Sequence, residues 1–131
     1  MNIKGSRVVI TGGTGTLGTT LIPLLEAEGA FVVAPTRKEM DITDGHSVGE
    51  FFGRGRGTGC DMVIHCAAYT NVPDAQLPAN HRKVIATNIL GTGYISSWSK
   101  QNHFKMVYIS SDYVYEGTDG DYKITDIPKP F

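Results

Sequence analysis

The residues best placed to do chemistry stand at the two ends of the chain. Near the start, "TGGTGTLG" sets Gly12, Gly15 and Gly18 three residues apart, directly after a short apolar run and at the opening of a helical pattern. That context suits an anion. Gly12 permits a tight turn, Gly15 lets a pyrophosphate approach the backbone, and Gly18 lets helix and strand pack closely. The helix N-terminus then offers free N–H groups and the positive end of its dipole to phosphates. Near the other end, "ISSDYVYEG" (Ile109 to Gly117) ends an apolar run in paired serines, an acid and tyrosines, which resembles half of an active site.

A second charge signal lies between them. An acid about 20 residues beyond such glycines would hold the adenosine ribose of NAD. Here that place holds Arg37, followed by Lys38, with no acid from Phe31 through Lys38. Two cations suit a 2′-phosphate, so NADP is favoured and NAD is the alternative. The bland reading is that both cations solvate a loop.

The elements that must position these residues alternate. Val8 to Ile10, "AFVVAP", "DMVIHCAA" and "KMVYIS" read as four buried strands, because their apolar runs do not alternate with polar residues. Leu17, Leu21 and Leu25, with Leu24 beside them, give the first helix an apolar face. Gly29 stops it, and Pro23 lies inside it. "DITDGHSVGEFF" leads into a short helix, with Asp44 or Ser47 as its N-cap. "GRGRGTG" reads as a solvated loop. A longer helix is expected from about Ala79 to Asn102. Ile85 and Ile89 form one apolar pair on it, Leu90, Tyr94 and Trp98 a neighbouring stripe, and Gly91 and Gly93 permit close approach. The alternation predicts an α/β, Rossmann-type doubly wound parallel sheet with strand order 3-2-1-4.

The totals agree with one ordinary globular domain. The chain has 131 residues, 40% of them hydrophobic, and a net charge of -1. That balance argues against nucleic acid and anionic membrane as partners. His65 and Cys66 are adjacent on a strand and point to opposite faces, so no metal site is read there. The N-terminus lacks a signal-peptide core, and no apolar run is long enough to span a bilayer. Cytoplasmic location and reduced Cys60 and Cys66 are the expectation.

Taken in order, "TGGTGTLG", "DITD", "HCAAYTNV", "TNILGT" and "ISSDYVYEG" resemble the extended short-chain dehydrogenase/reductase superfamily. Within it the chain looks most like the dTDP-4-dehydrorhamnose reductase branch, through "AAYTNV" and "DYVYEG". The resemblance implies that Gly12, Gly15 and Gly18, with Thr16 and Leu17, hold the pyrophosphate. It implies that Asp41 and Ile42 meet the adenine, and that Ala67, Ala68, Tyr69 and Thr70 line the cofactor. Asn88 matches the asparagine that supports the active site, Ser111 the catalytic serine, and Asp112 its neighbour on the substrate side. Each has a structural alternative: a helix cap at Asp41 or Asp44, a helix kink at Asn88, a strand end at Ser110 and Ser111. "NVPDAQ" departs from the branch, because Pro73 displaces the usual acid to Asp74.

The resemblance also implies a tyrosine followed four residues later by lysine. That pairing makes the phenol an effective general acid near neutral pH. None of the six tyrosines here has that lysine. The expectation is an NAD(P)-binding Rossmann domain over residues 1–131, incomplete before the later strands and substrate domain and negligible in catalysis alone. Its substrate in full-length form would be a nucleotide-sugar. Marginal stability, homo-oligomerisation or association through an open sheet edge is expected. The alternatives are a non-catalytic NADP-binding regulatory subunit, or a fragment of a nucleotide-sugar epimerase or dehydratase.

Overall fold

The computed structural model describes residues 3–118 and 120–130. Met1, the Asp119 that lies four residues after Tyr115, and the final Phe131 of "DIPKPF" lie outside them. β1 (Arg7–Thr11), α1 (Thr16–Ala27), β2 (Phe31–Val33), α2 (Gly45–Gly53) and β3 (Met62–His65) come first. A one-turn helix α3 (Val72–Ala75) and a 3₁₀ turn (Pro78–Asn80) precede α4 (His81–Val84). α4 runs into a π-helical segment (Ile85–Gly91) and then α5 (Thr92–Asn102). β4 (Lys105–Tyr108) and a 3₁₀ turn (Asp112–Val114) follow.

The four strands form one parallel sheet, as the apolar runs predict, in the order β2-β1-β3-β4. The order therefore differs from the expected 3-2-1-4, and the faces explain it. α1 covers one face, where Leu21, Ile22 and Leu25 pack on Val8, Ile10, Met62 and Ile64. α2 and α5 cover the other, where Val48, Phe51, Phe52 and Ile95 pack on Val9 and Val63. Right-handed crossovers on opposite faces must step in opposite directions. The chain therefore steps from β1 to β2 one way, then back across β1 to β3 and on to β4. Val9 and Val63 sit at one level and are fully buried. Each such side chain contributes about 1.5–3 kcal/mol on leaving water.

Local signals decide the helix ends. Asp44 caps α2 by accepting the His46 N–H at 2.9 Å. Ser47 is not the cap; its hydroxyl accepts the Asp41 N–H. Gly29 ends α1 with φ at +83°, a conformation that favours glycine. α1 runs through Pro23.

Two apolar patterns fall differently from the sequence reading. In α1, Leu17 faces the cleft described below and Leu24 is exposed, so Ile22 takes the core position instead. In the long helix, Ile85, Ile89 and Leu90 are exposed while Tyr94 and Trp98 pack on the core. The π segment is the reason. Its i→i+5 bonding breaks the phase between the residues before and after it. Gly91 allows the close approach expected: a Cβ there would lie 3.0 Å from the Ile42 carbonyl oxygen. Gly93 has open space around it instead.

"GRGRGTG" is more anchored than a solvated loop. Gly57 is buried, and a Cβ on it would lie 2.6 Å from the Phe51 ring. Arg56 pairs with Glu39 at 2.5 Å, and the Arg56 carbonyl accepts from Arg7.

Candidate functional site

Where β1 and β3 lie side by side, the chain leaves the sheet in opposite directions, and a crevice opens beyond the strand ends. Parallel sheets bind ligands at such a switch point. The cleft has a volume of about 1070 Å³. Its floor is the glycine turn and the start of α1; its walls are the ends of β2, β3 and β4 and the π segment.

Gly12 makes the turn with φ at +69°. The Gly12 carbonyl accepts the Gly15 N–H at 2.9 Å. A Cβ on Gly12 would lie 2.8 Å from the Ala67 nitrogen, and one on Gly18 would lie 2.4 Å from the Gly12 oxygen. Only glycine fits either place. At the other end of the turn, Gly15 is the N-cap of α1 and brings no side-chain cap, and the first turn holds no acid. The first amide groups of α1, at Thr16 and Leu17, border the cleft with no carboxylate competing for them. An anion is the partner these features suit.

At the end of β2, Arg37 and Asp41 both line the cleft. Arg37 is exposed, and its Nε donates to the Asp41 carboxylate at 3.0 Å. Asp41 also accepts the Thr43 N–H at 2.9 Å and the Thr43 hydroxyl at 2.7 Å. Partial burial pushes its carboxyl up, but the Thr43 bonds and Arg37 outweigh that and hold it below the ordinary aspartate value. Lys38 is not among the cleft-lining residues. Glu39 turns away from the cleft: it accepts the Thr36 N–H at 2.8 Å, the Thr36 hydroxyl at 3.0 Å, and Arg56. Those bonds, the Thr36 amide first, hold its carboxyl below the ordinary glutamate value. The sequence reading did not single out this Thr36–Glu39–Arg56 chain; its signal was an acid within reach of the loop arginines.

After β3, Ala67, Ala68, Tyr69 and Thr70 line the cleft as a group. Asn88 on the π segment faces them. Its Oδ1 accepts the Tyr69 N–H at 2.7 Å and its Nδ2 donates to the Tyr69 carbonyl at 3.1 Å. Tyr69 itself donates its hydroxyl to Asp74. The displaced acid thus reaches back to the tyrosine, which raises the phenol above its ordinary value. At β4, Ser110 and Ser111 line the cleft and Asp112 does not. The Ser111 hydroxyl donates to Asp112 Oδ1 at 3.3 Å and accepts the Tyr113 N–H at 3.2 Å. It caps the 3₁₀ turn, so the strand-end reading of Ser111 and its place in the cleft hold together.

The structure therefore brings together Gly12, Gly15, Thr16, Leu17, Gly18, Arg37, Asp41, Ile42, the 67–70 segment, Asn88 and Ser111, and leaves Asp112 outside the lining. Sequence reading weighed His65 only as a metal ligand and did not place it in this cleft, which it lines at 1% exposure. Cys60 and Cys66 are free thiols, and burial pushes Cys60 up to about 11. No helix of the described residues is long and apolar enough to cross a membrane.

Known proteins resemble this chain in sequence and in fold. The chain is 33% identical over 132 residues to a dTDP-4-dehydrorhamnose reductase of Mycolicibacterium smegmatis, across 99% of this chain and 38% of that protein. It is 34% identical over 112 residues to a dTDP-4-keto-6-deoxy-D-glucose reductase of Streptomyces niveus, across 86% of this chain and 37% of that one. The crystal structure of dTDP-4-dehydrorhamnose reductase from Bacillus anthracis in complex with NADP superposes with a TM-score of 0.85 at 32% identity. That match covers 96% of this chain and 43% of the other. A GDP-mannoheptose C4 reductase from Campylobacter jejuni with NADP bound superposes at 0.76 and 26% identity, over 91% of this chain and 37% of that one. The chain thus spans about two fifths of the length of these relatives. A family model described as the RmlD substrate binding domain matches residues 6–131, from the edge of β1 through the serine-bearing turn beyond β4, and to that family the chain belongs.

Proposed function

We propose that this chain is the NADP-binding portion of a nucleotide-sugar 4-keto reductase. The observation that carries the reading is a single cleft bordered by the glycine turn, the uncapped start of α1, Arg37 and Ser111. NADP bound to the Bacillus anthracis and Campylobacter jejuni relatives supports the cofactor assignment.

In this reading the pyrophosphate lies on the Gly12–Gly18 turn, against the amides of Thr16 and Leu17. Arg37 takes the 2′-phosphate, a charge-assisted contact that Asp41 prepares by holding the guanidinium at the cleft. Glu39 gives no competing ribose acid, because its oxygens are spent on Thr36 and Arg56. This favours NADP over NAD. Asp41 and Ile42 border the adenine, and Ala67 to Thr70 border the rest of the dinucleotide. When bound, the reduced cofactor supplies a hydride for the C4 carbonyl of the sugar. Ser111 turns its hydroxyl proton from Asp112 to that carbonyl, with Asp112 on the substrate side, and Asn88 keeps the Tyr69 main chain in register.

None of the six tyrosines is followed four residues later by a lysine, the pairing that makes a phenol an effective general acid, so the 131-residue chain alone has negligible reductase activity. Titration of the purified chain with NADPH and NADH, read by the fluorescence of the reduced nicotinamide, tests the first part. NADPH should bind at least about tenfold more tightly, and Arg37→Ala should erase that preference. No binding of either would overturn the site. Turnover of a dTDP-4-dehydro-sugar by the chain alone would overturn the second part.

A further inference from the structure

His65 has no part in the chemistry just described, yet it occupies the most protected polar position of the cleft. It and Thr11 are each 1% exposed, at the ends of β3 and β1. The Thr11 hydroxyl lies 2.6 Å from His65 Nδ1 and accepts the Ala67 N–H at 3.2 Å. The Thr92 hydroxyl lies 3.1 Å from His65 Nε2.

Proton counting fixes the state of the ring. A threonine hydroxyl has one proton. With the Ala67 N–H on its oxygen, Thr11 has its proton left to give, and Nδ1 is the acceptor within reach. Nε2 then carries the ring proton and donates to Thr92. The reverse tautomer would leave the buried Thr11 proton with no acceptor among the described residues, a state that is costly inside a protein. An imidazolium would do the same, because both ring nitrogens would then be donors.

The groups packed on the ring agree. β1 presents Thr11, α5 presents Thr92, and β4 presents the Tyr108 ring at 5.9 Å between centroids. Tyr108 is the titratable neighbour among the described residues, and no carboxylate there favours a charged ring. Burial lowers the His65 pKa, which keeps the ring neutral.

The relay spans three parts of the cleft. Thr11 is where the glycine turn starts, Ala67 is where the chain leaves β3, and Thr92 is where the π segment bearing Asn88 returns to an α-helix. We propose that His65, as the neutral Nε2–H tautomer, is a positioning residue that locks the Asn88 segment to the glycine turn through Thr11 and Thr92, and that dinucleotide binding depends on this lock. The proposal rests on the reading of the cleft as a dinucleotide site.

The test separates the two. Long-range ¹H–¹⁵N spectra of the imidazole in the chain should show Nδ1 as an unprotonated acceptor and Nε2 as protonated, at neutral pH and without any ligand. A protonated Nδ1 would overturn the relay whatever the cleft binds. Thr92→Val removes the acceptor with little change of shape. It should weaken NADPH binding about tenfold, in line with the loss of one half-buried hydrogen bond, and Thr92→Ser should restore it. Unchanged NADPH affinity in folded Thr92→Val, with only the melting temperature lowered, would make His65 merely structural and overturn the proposal. Wild-type chain that binds no NADPH, with the expected tautomer, would overturn the cleft reading and with it the dependence of binding on the lock, while the proton arrangement would stand.

Discussion

The side chain of Asn88 brackets the main chain of Tyr69, accepting from its N–H at 2.7 Å and donating to its carbonyl at 3.1 Å. The planar amide of asparagine offers the acceptor and the donor on one group. The bracket joins a helix to a loop 19 positions earlier in the chain. The π turn carries this residue, which agrees with the tendency of such turns to mark functional places.

Asn88→Ala leaves both Tyr69 groups without protein partners in a half-buried place. It should destabilise the chain by about 1–3 kcal/mol. Asn88→Asp keeps the acceptor but sets a carboxylate against the Tyr69 carbonyl, and should lose at least as much. Urea unfolding of the three proteins checks this. Equal midpoints would show that the bracket contributes nothing.

How far the sequence reaches is seen at particular residues. The glycine spacing after Val8 to Ile10, the Asp44 cap and the stop at Gly29 are local chemistry, and each stands where it was read. Strand order is not local. It depends on α2 covering the face opposite α1, and nothing in "DITDGHSVGEFF" says which face that is. The exposure of Ile89 and the half-burial of Tyr94 depend on the π segment Ile85–Gly91, which holds Ile89 and ends before Tyr94, and which an α-helical period cannot register. The Asn88–Tyr69 bracket and the His65 relay join residues far apart in sequence, so only the folded chain displays them.

Two glycines predict opposite outcomes for the same substitution. Gly18→Ala would drive a methyl to 2.4 Å from the Gly12 oxygen, where the neighbour is backbone and cannot swing aside. It should destabilise the chain by about 1–3 kcal/mol, the order seen for overpacked cores. Gly93 lies inside α5 with nothing within 4 Å of the added methyl. Gly93→Ala should stabilise by about 0.5–1 kcal/mol through helix propensity alone. Thermal melts of both variants decide the matter, and a stabilising Gly18→Ala would contradict the packing of α1 on the glycine turn.

Asp41 predicts a dependence on acid. Its folded pKa lies below the ordinary aspartate value, so its contribution is present above the unfolded value and is lost as pH falls through the folded one. Stability should therefore decline below about pH 4, the region where an aspartate protonates. Asp41→Asn keeps one acceptor for Thr43 but no charge for Arg37. It should be less stable than the wild type at pH 7 and should flatten the decline at low pH. Denaturant midpoints at several pH values measure both slopes; parallel curves for the two proteins would remove Asp41 from the account.

β4 predicts how the chain behaves with its own copies. Among the described residues it pairs with β3 on one side and has no strand on the other. Val107 lies on the face that α1 covers, yet it is 41% exposed, because α1 packs over β2 and β1 and not so far across. A parallel edge with an exposed β-branched residue is a template for pairing. The 131-residue chain should associate as its concentration rises. Val107→Lys places a charge beside that edge, the device by which natural sheets discourage pairing, and should shift the chain toward monomer. Sedimentation velocity over a range of concentrations resolves the two species. A wild-type chain that stays monomeric throughout would show that the twist of β4 or its side chains already protect the edge.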